Sequence, residues 1–269
     1  DDPERTVIEP LSQKRSDFAP LYDFDLMNRS GHVKGWIVRT DAVQNAMKAL
    51  DKLGSKTVFN KKYGFKSRKP LVFAVGDGNH SLATAKTCWN EIKKTLTPEE
   101  AAVHPARYAL VEVVNLHDDS LKFEPIHRVV FGADATKMTV ALAGFFKDIS
   151  IAPKPPKDIA GRQVFVMLSN GNKQYVSVTD EKSNLTVGSL QAFLDEYLKK
   201  ETGTVDYIHG DEEVERLCKN PENRGFLLPT PAKDELFKTV VLDGALPRKT
   251  FSMGHAQDKR FYLEGRKIR

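Results

Sequence analysis

The run Gly76-Asp77-Gly78-Asn79-His80-Ser81 holds the residues whose types and order best suggest chemistry. A loop that served only to hold phosphate would do better without a carboxylate, because like charges repel. Asp77 therefore reads either as a general base for a substrate hydroxyl or as a ligand that shares a divalent ion with phosphate. The plainer alternative is that it closes its own turn, as Asp does in many loops. His80 reads as a phosphate donor or as a base near neutral pH, against the alternative of a histidine packed at a helix start. Gly76 and Gly78 leave room for backbone N–H groups to face a ligand. Asn79 and Ser81 read as caps first and ligands second.

The flanking chain is what must place this loop. Leu71-Val72-Phe73-Ala74-Val75 is short, apolar and β-branched, and is predicted as a buried strand. After the loop, Leu82, Ala85, Trp89 and Ile92 recur at helical spacing. Strand, polar loop and helix start together would aim free amides and the positive end of a helix dipole at one small volume. An anion or phosphate site follows as an expectation.

A second cluster is His127-Arg128, placed after a strand and beside Glu124 in the run Leu121–Phe131 that Gly132 ends. The Arg fork suits a phosphate or a developing charge, while pairing with Glu124 is the plainer reading. Several signatures are missing. The third glycine of a dinucleotide fingerprint is Ser81, and Gly54-Ser55-Lys56-Thr57 lacks the order of a P-loop. No Gly-x-Ser-x-Gly is present, and His104, His117 and His209 share no zinc-ligand spacing.

The remaining elements alternate. Thr6-Val7-Ile8 and Trp36-Ile37-Val38 are predicted as strands, as is Arg107–Leu116. Helices are predicted from Thr40-Asp41 to Gly54, from Thr97-Pro98, over Thr136–Phe146, and over Leu190–Leu198. Ser169-Asn170-Gly171-Asn172 between two apolar runs is a hairpin signal. Asp206–Gly210 precedes an acidic helix start, and Phe226-Leu227-Leu228 is a short strand. The fold class expected is α/β, of the mixed α+β kind.

The chain has 269 residues, 40% apolar and 29% charged, an ordinary globular composition. No apolar run approaches the roughly 20 residues of a membrane span. Two distant cysteines, Cys88 and Cys218, and no signal-peptide pattern give a cytoplasmic expectation. The net charge of +5 sits in residues 246–269, where seven basic side chains face two acidic ones. A solvated basic tail is the plain reading, and a nucleic-acid footprint the sharper one. Without a helix-turn-helix or a helical basic region, DNA association ranks last.

Asp77-Gly78-Asn79-His80 with Ala83-Thr84-Ala85 resembles the Asp-Gly-His-His-Arg-Tyr-x-Thr-Ala box of the bacterial proteins grouped as domain of unknown function 1015. Ile126-His127-Arg128-Val129 resembles that family's Thr-His-Arg-Val segment, and Asp206-Tyr207-Ile208-His209-Gly210 its Asp-Tyr-Ile-His-Gly segment. The family's proteins are longer, so part of the N-terminal region is expected to lie outside this chain. The box is similar to those of ParB-type proteins, sulfiredoxin and the free-serine kinases.

The resemblance implies a ParB/sulfiredoxin-like nucleotide-binding core over residues 1–132 and an additional α+β region over 133–269, with the two packed as one unit as the alternative. It implies ATP or ADP, with CTP as a further candidate, together with Mg. Asp77 matches the acidic residue of the kinase-like box and His80 its phosphate-side histidine. Ser81 stands where the box has Arg, which removes a bidentate phosphate contact. Asn79 occupies the position of sulfiredoxin's reactive cysteine, which excludes that chemistry. The function expected is a phosphotransferase acting on a small hydroxyl-bearing metabolite. In it Asp77 is base or Mg ligand, His80, His127 and the Gly76, Gly78, Asn79 and Ser81 positions hold phosphate, and Arg128 steadies charge. A nucleotide-sensing module without turnover is the alternative.

Overall fold

The computed structural model describes residues 1–180, 183–254 and 263–268. Of the basic tail, Lys259, Arg260 and Arg269 lie outside the described residues. The chain is mixed α+β and divides into two compact units, residues 1–121 with the C-terminal 263–268, and Lys122–Gly254.

In the first unit, α1 (Ile8–Gln13) leads to a hairpin of β1 (Ala19–Asp25) and β2 (His32–Ile37). The helices α2 (Thr40–Leu53), α3 (Lys56–Tyr63), α4 (Asn79–Ile92) and α5 (Pro98–Val103) come next. Residues 6–8 do not form the predicted strand. The Asp2 carboxylate accepts the N–H groups of Thr6 and Val7, at 2.6 and 3.1 Å, and Ile8 opens α1. Helix α2 has the predicted span and Gly54 ends it, but Arg39 precedes it with no side-chain cap. Helix α5 opens on a capping box, in which Thr97 and Glu100 satisfy each other's backbone N–H groups.

The segments Leu71–Val75 and Arg107–Leu116 are a correction to the sequence reading, because neither forms a strand. Apart from Arg107, which ends a 3-10 turn, both run outside regular structure, and their apolar side chains stay largely exposed, Phe73 at 56% and Val111 at 65%. An apolar, β-branched run has the right composition for a strand, but a strand also needs a neighbour to take its backbone groups.

The second unit is built on β3 (Phe123–Phe131), then α6 (Ala135–Phe145), β4 (Asp148–Ala152), β5 (Gln163–Ser169) and β6 (Asn172–Thr179). It continues with α7 (Thr186–Tyr197), β7 (Thr204–His209), α8 (Asp211–Leu217), β8 (Arg224–Leu227), α9 (Lys233–Asp243) and β9 (Phe251–Met253). The strands make one antiparallel sheet in the order β4-β6-β5-β8-β3-β7, with β9 on the first residues of β3. Strand β3 pairs with β7, β8 and β9, so it groups with the C-terminal strands. The division at 132 drawn from the sequence falls after this strand, and the compact units part before it, at 121/122.

Alternation along the strands explains the core. Val130, Met167 and Phe226 face the α6 and α7 side, against Met138, Leu142, Leu190 and Phe193. Val129, Leu168 and Leu227 face the other side, against Val214 and Cys218 of the α8 region. The predicted hairpin is present, with Ser169 opposite Asn172 and both turn residues, Asn170 and Gly171, at positive φ.

Candidate functional site

Helix α4 and the loop before it form the candidate site in the first unit. The approach is fixed by the buried Asn60 on α3. Its amide donates to the carbonyls of Lys56 and Arg68, at 2.7 and 3.0 Å, and its Oδ1 accepts Arg68 N–H at 2.6 Å. One side chain thus pins both ends of the basic stretch 60–68, which ends with two residues left before Leu71. Val72 then packs on the end of α2, where a Cβ at Gly54 would come within 3.1 Å of its Cγ2.

The turn into α4 is made by Gly78, at φ +79°, a left-handed conformation natural to glycine. The Asp77 carboxylate accepts the Gly78 N–H at 2.8 Å, and Asn79 donates its amide to the Val75 carbonyl at 3.3 Å. Both side chains therefore serve the turn itself. Gly78 is the N-cap and carries no side chain, so no side chain caps the helix. The N–H groups of Asn79, His80 and Ser81, in its first turn, have no i−4 carbonyl within the helix. Asp77, Asn79, His80 and Ser81 are all exposed. Helix α4 is fourteen residues long and gives this end a full dipole. Its far end is steadied by Trp89 stacked on His104, with centroids 5.7 Å apart.

The remaining sequence-predicted residues, His127 and Arg128, belong to the second unit, on β3, where their polar groups are engaged. His127 is 2% exposed. Its Nδ1 accepts the Leu228 N–H at 3.1 Å and its Nε2 lies 2.8 Å from Asp211 Oδ1. Burial pushes its pKa below the ordinary histidine value, with Asp211 pulling the other way.

Arg128 is fully buried. Its Nε donates to Gln191 Oε1 at 3.1 Å, Nη1 to the carbonyls of Ile126 and Lys249 at 2.5 and 3.0 Å, and Nη2 to that of Arg248 at 3.2 Å. Its guanidinium carbon lies 4.6 Å from the Tyr207 ring centre, and burial lowers its pKa to about 10. These groups have the geometry of structural ties. The fork read from the sequence as a partner for phosphate or for Glu124 is filled by backbone carbonyls. The partners Tyr207, Gln191 and Asp211 were not legible from the sequence as partners. Strand pairing sets Arg128 opposite Tyr207, and nothing local to either residue announces it.

Among the described residues, no group of three or more His, Cys, Asp and Glu could hold a metal ion. Asp77 is one exposed carboxylate, which suits an ion that takes its other ligands from phosphate and water. No described helix is long and apolar enough to cross a membrane.

A mixed α+β protein with an open helix start behind an acidic, glycine-flanked turn is the class that fold and site define. The chain belongs to the family described as protein of unknown function DUF1015, which matches residues 1–197. The match takes in the Gly76–Ser81 loop and the Ile126–Val129 segment, and ends before Asp206–Gly210.

No curated protein matches the chain. Among solved structures, a conserved hypothetical protein from Pyrococcus furiosus is similar at 15% identity and TM-score 0.41, over 54% of this chain and 61% of that one. Free serine kinase in complex with AMP is similar at 16% identity and TM-score 0.41, over 53% and 58%. A variant of free serine kinase in complex with ADP gives 17% and 0.40, over 53% and 58%. The chain thus matches about three fifths of the length of these structures.

Proposed function

We propose that the chain binds a nucleotide by its phosphates at the Gly76–Ser81 turn and passes a phosphoryl group to a small hydroxyl-bearing metabolite. The observation that carries this reading is the start of α4. It is a fourteen-residue helix, entered through a left-handed glycine, with no side-chain cap and an exposed first turn. Amides so placed bind oxyanions without any change of fold. His80, in that turn, adds a donor toward a phosphate oxygen. Asp77 takes the proton of the attacking hydroxyl as the new P–O bond forms, and the bond to the departing nucleotide breaks. In the alternative role, as a ligand and not the base, Asp77 would hold a Mg ion that neutralises phosphate charge there.

A second reading, nucleotide binding without turnover, is favoured by one specific contact. Asp77 already holds the Gly78 N–H, the work of a turn residue.

Titration with ATP, ADP and CTP, with and without Mg, followed by thermal shift and calorimetry, tests both. Asp77→Asn keeps the turn contact and removes the charge. In a phosphotransferase it leaves nucleotide affinity within a few-fold and lowers turnover about 10²-fold or more. In a binding module it leaves, or tightens, binding, and the unsubstituted chain shows no turnover. A folded chain whose melting temperature responds to none of the nucleotides would remove both readings for residues 1–269.

A further inference from the structure

The least expected feature of the second unit is the segment held by Arg128. Between α9 and β9 the chain forms a strap, residues 246–250, tied to Arg128 of β3. Leu246 packs on the main core, and a tight turn comes next, closed by the Thr250 hydroxyl donating to the Pro247 carbonyl at 2.7 Å. Within that turn Lys249 has φ +51°, a left-handed conformation that side chains other than glycine and asparagine rarely hold. Such a turn persists only when its surroundings over-determine it. Here they do. The two successive carbonyls of Arg248 and Lys249 occupy Nη2 and Nη1 of one guanidinium, and Lys249 Nζ lies 5.0 Å from the centre of the Tyr207 ring that Arg128 also covers. The guanidinium is anchored from behind by Ile126 O and Gln191 Oε1. Beyond the strap, β9 pairs with β3 over only three residues, Phe251 to Met253.

We propose that Arg128 is a latch: its two-pronged fork holds the strap 246–250 closed on the sheet, and the strap opens as a unit, with the sheet intact, when the fork is lost. A lysine at 128 keeps the positive charge but offers one point of attachment where the guanidinium offers a planar pair. Charge alone therefore does not close the strap. Arg128 acts here as a positioning residue for the strap.

The latched carbonyls belong to the two peptide bonds that trypsin hydrolyses, those after Arg248 and Lys249. A protease needs the chain extended in its cleft, so the closed strap resists cutting and the open one does not. The exposed Lys66, in the loop after α3, provides an internal reference. Limited trypsin digestion of the full chain, followed by mass spectrometry, should show cutting after Lys66 well before cutting after Arg248 or Lys249. In Arg128→Lys, cutting after Arg248 and Lys249 should rise about tenfold or more, as expected for loss of charge-assisted hydrogen bonds, while cutting after Lys66 stays unchanged. Hydrogen exchange should show the same selective gain at 248–253, with Leu228 still protected. Two results would overturn the latch. One is an unsubstituted chain cut as fast after Arg248 as after Lys66, which needs no variant at all. The other is an Arg128→Lys chain in which the strap sites stay slow, or in which protection falls equally across the sheet.

Discussion

His127 is neutral where it sits. Its Nδ1 accepts the Leu228 N–H, so the ring proton is on Nε2 and points to Asp211. Protonating Nδ1 would break the first bond and bury a cation beside Arg128, and the pKa is accordingly lowered, burial being the main cause. A histidine with a lowered folded-state pKa contributes stability that is fully present above its unfolded value of about 6.5 and is lost as pH falls through the folded value. The loss begins below about pH 6.5, because the unfolded chain takes up the proton first. His127→Gln should remove this part of the acid sensitivity. Urea melts of both chains at pH 7.5 and 5.0 should show a smaller drop for the variant, and equal drops would refute the assignment. The variant should also cost about 1–3 kcal/mol at pH 7.5, since the buried Leu228 N–H loses its acceptor. At this scale the sequence showed residue partners only where they lie close along the chain. The Asp77 turn contact is made by the next residue along, and the sequence reading includes it. Of the carbonyls that fill the Arg128 fork, those of Arg248 and Lys249 come from about 120 residues away.

Helix α8 lies closely on its sheet because Gly225 has no side chain. A Cβ at Gly225 would come within 2.6 Å of both Cys218 Sγ and Val214 Cγ1 and 3.3 Å from Leu168 Cβ. The two closest atoms belong to buried side chains of the core on that face. Neither is the free end of a long flexible chain, so the helix must shift. Gly225→Ala should therefore destabilise the second unit by about 1–3 kcal/mol, the usual cost of overpacking. A lowered urea midpoint with unchanged slope would show this, and an unchanged midpoint would mean that α8 is held less closely. Elements were legible from the sequence where their signals are local. The Asn170-Gly171 turn, the helix start at Thr97-Pro98 and the span of α2 each depend on residues within one or two turns of chain. Strands were legible only in part, because a strand exists only with its neighbour: the two arms of the hairpin and Phe226-Leu227 are strands as read. Val129 reads as strand, but its partners Gly225 and Asp206 lie far along the sequence. Leu71–Val75 and Arg107–Leu116 have equally good strand composition and form none.

Across the whole molecule, burial is unevenly shared, and the family match does not reveal it. The second unit closes a sheet between two apolar layers, with Val129, Val130, Val176, Leu194 and Phe226 fully enclosed. Among the described residues, the first unit buries few apolar side chains, among them Val7, Phe18, Phe59 and Leu116, and α4 buries none of its residues. Opening free energies depend on local burial and backbone pairing. Amides of Val129, Val130 and Phe226 should thus exchange only on global opening of the second unit. Those of 71–75 and 108–114 lie in exposed segments that form no strand, and should exchange within the first minutes. This matters for the proposed site, because the Gly76–Ser81 turn lies directly after one of the quickly opening segments. A ligand held by the first turn of α4 must also order the segment leading into it, so nucleotide binding should slow exchange at 71–82 and leave 126–130 unchanged. Exchange measured with and without ATP and Mg would read both halves of this expectation on the same protein. Slowing confined to the second unit would place the nucleotide away from α4, and slow exchange at 71–75 without any ligand would contradict the uneven burial itself.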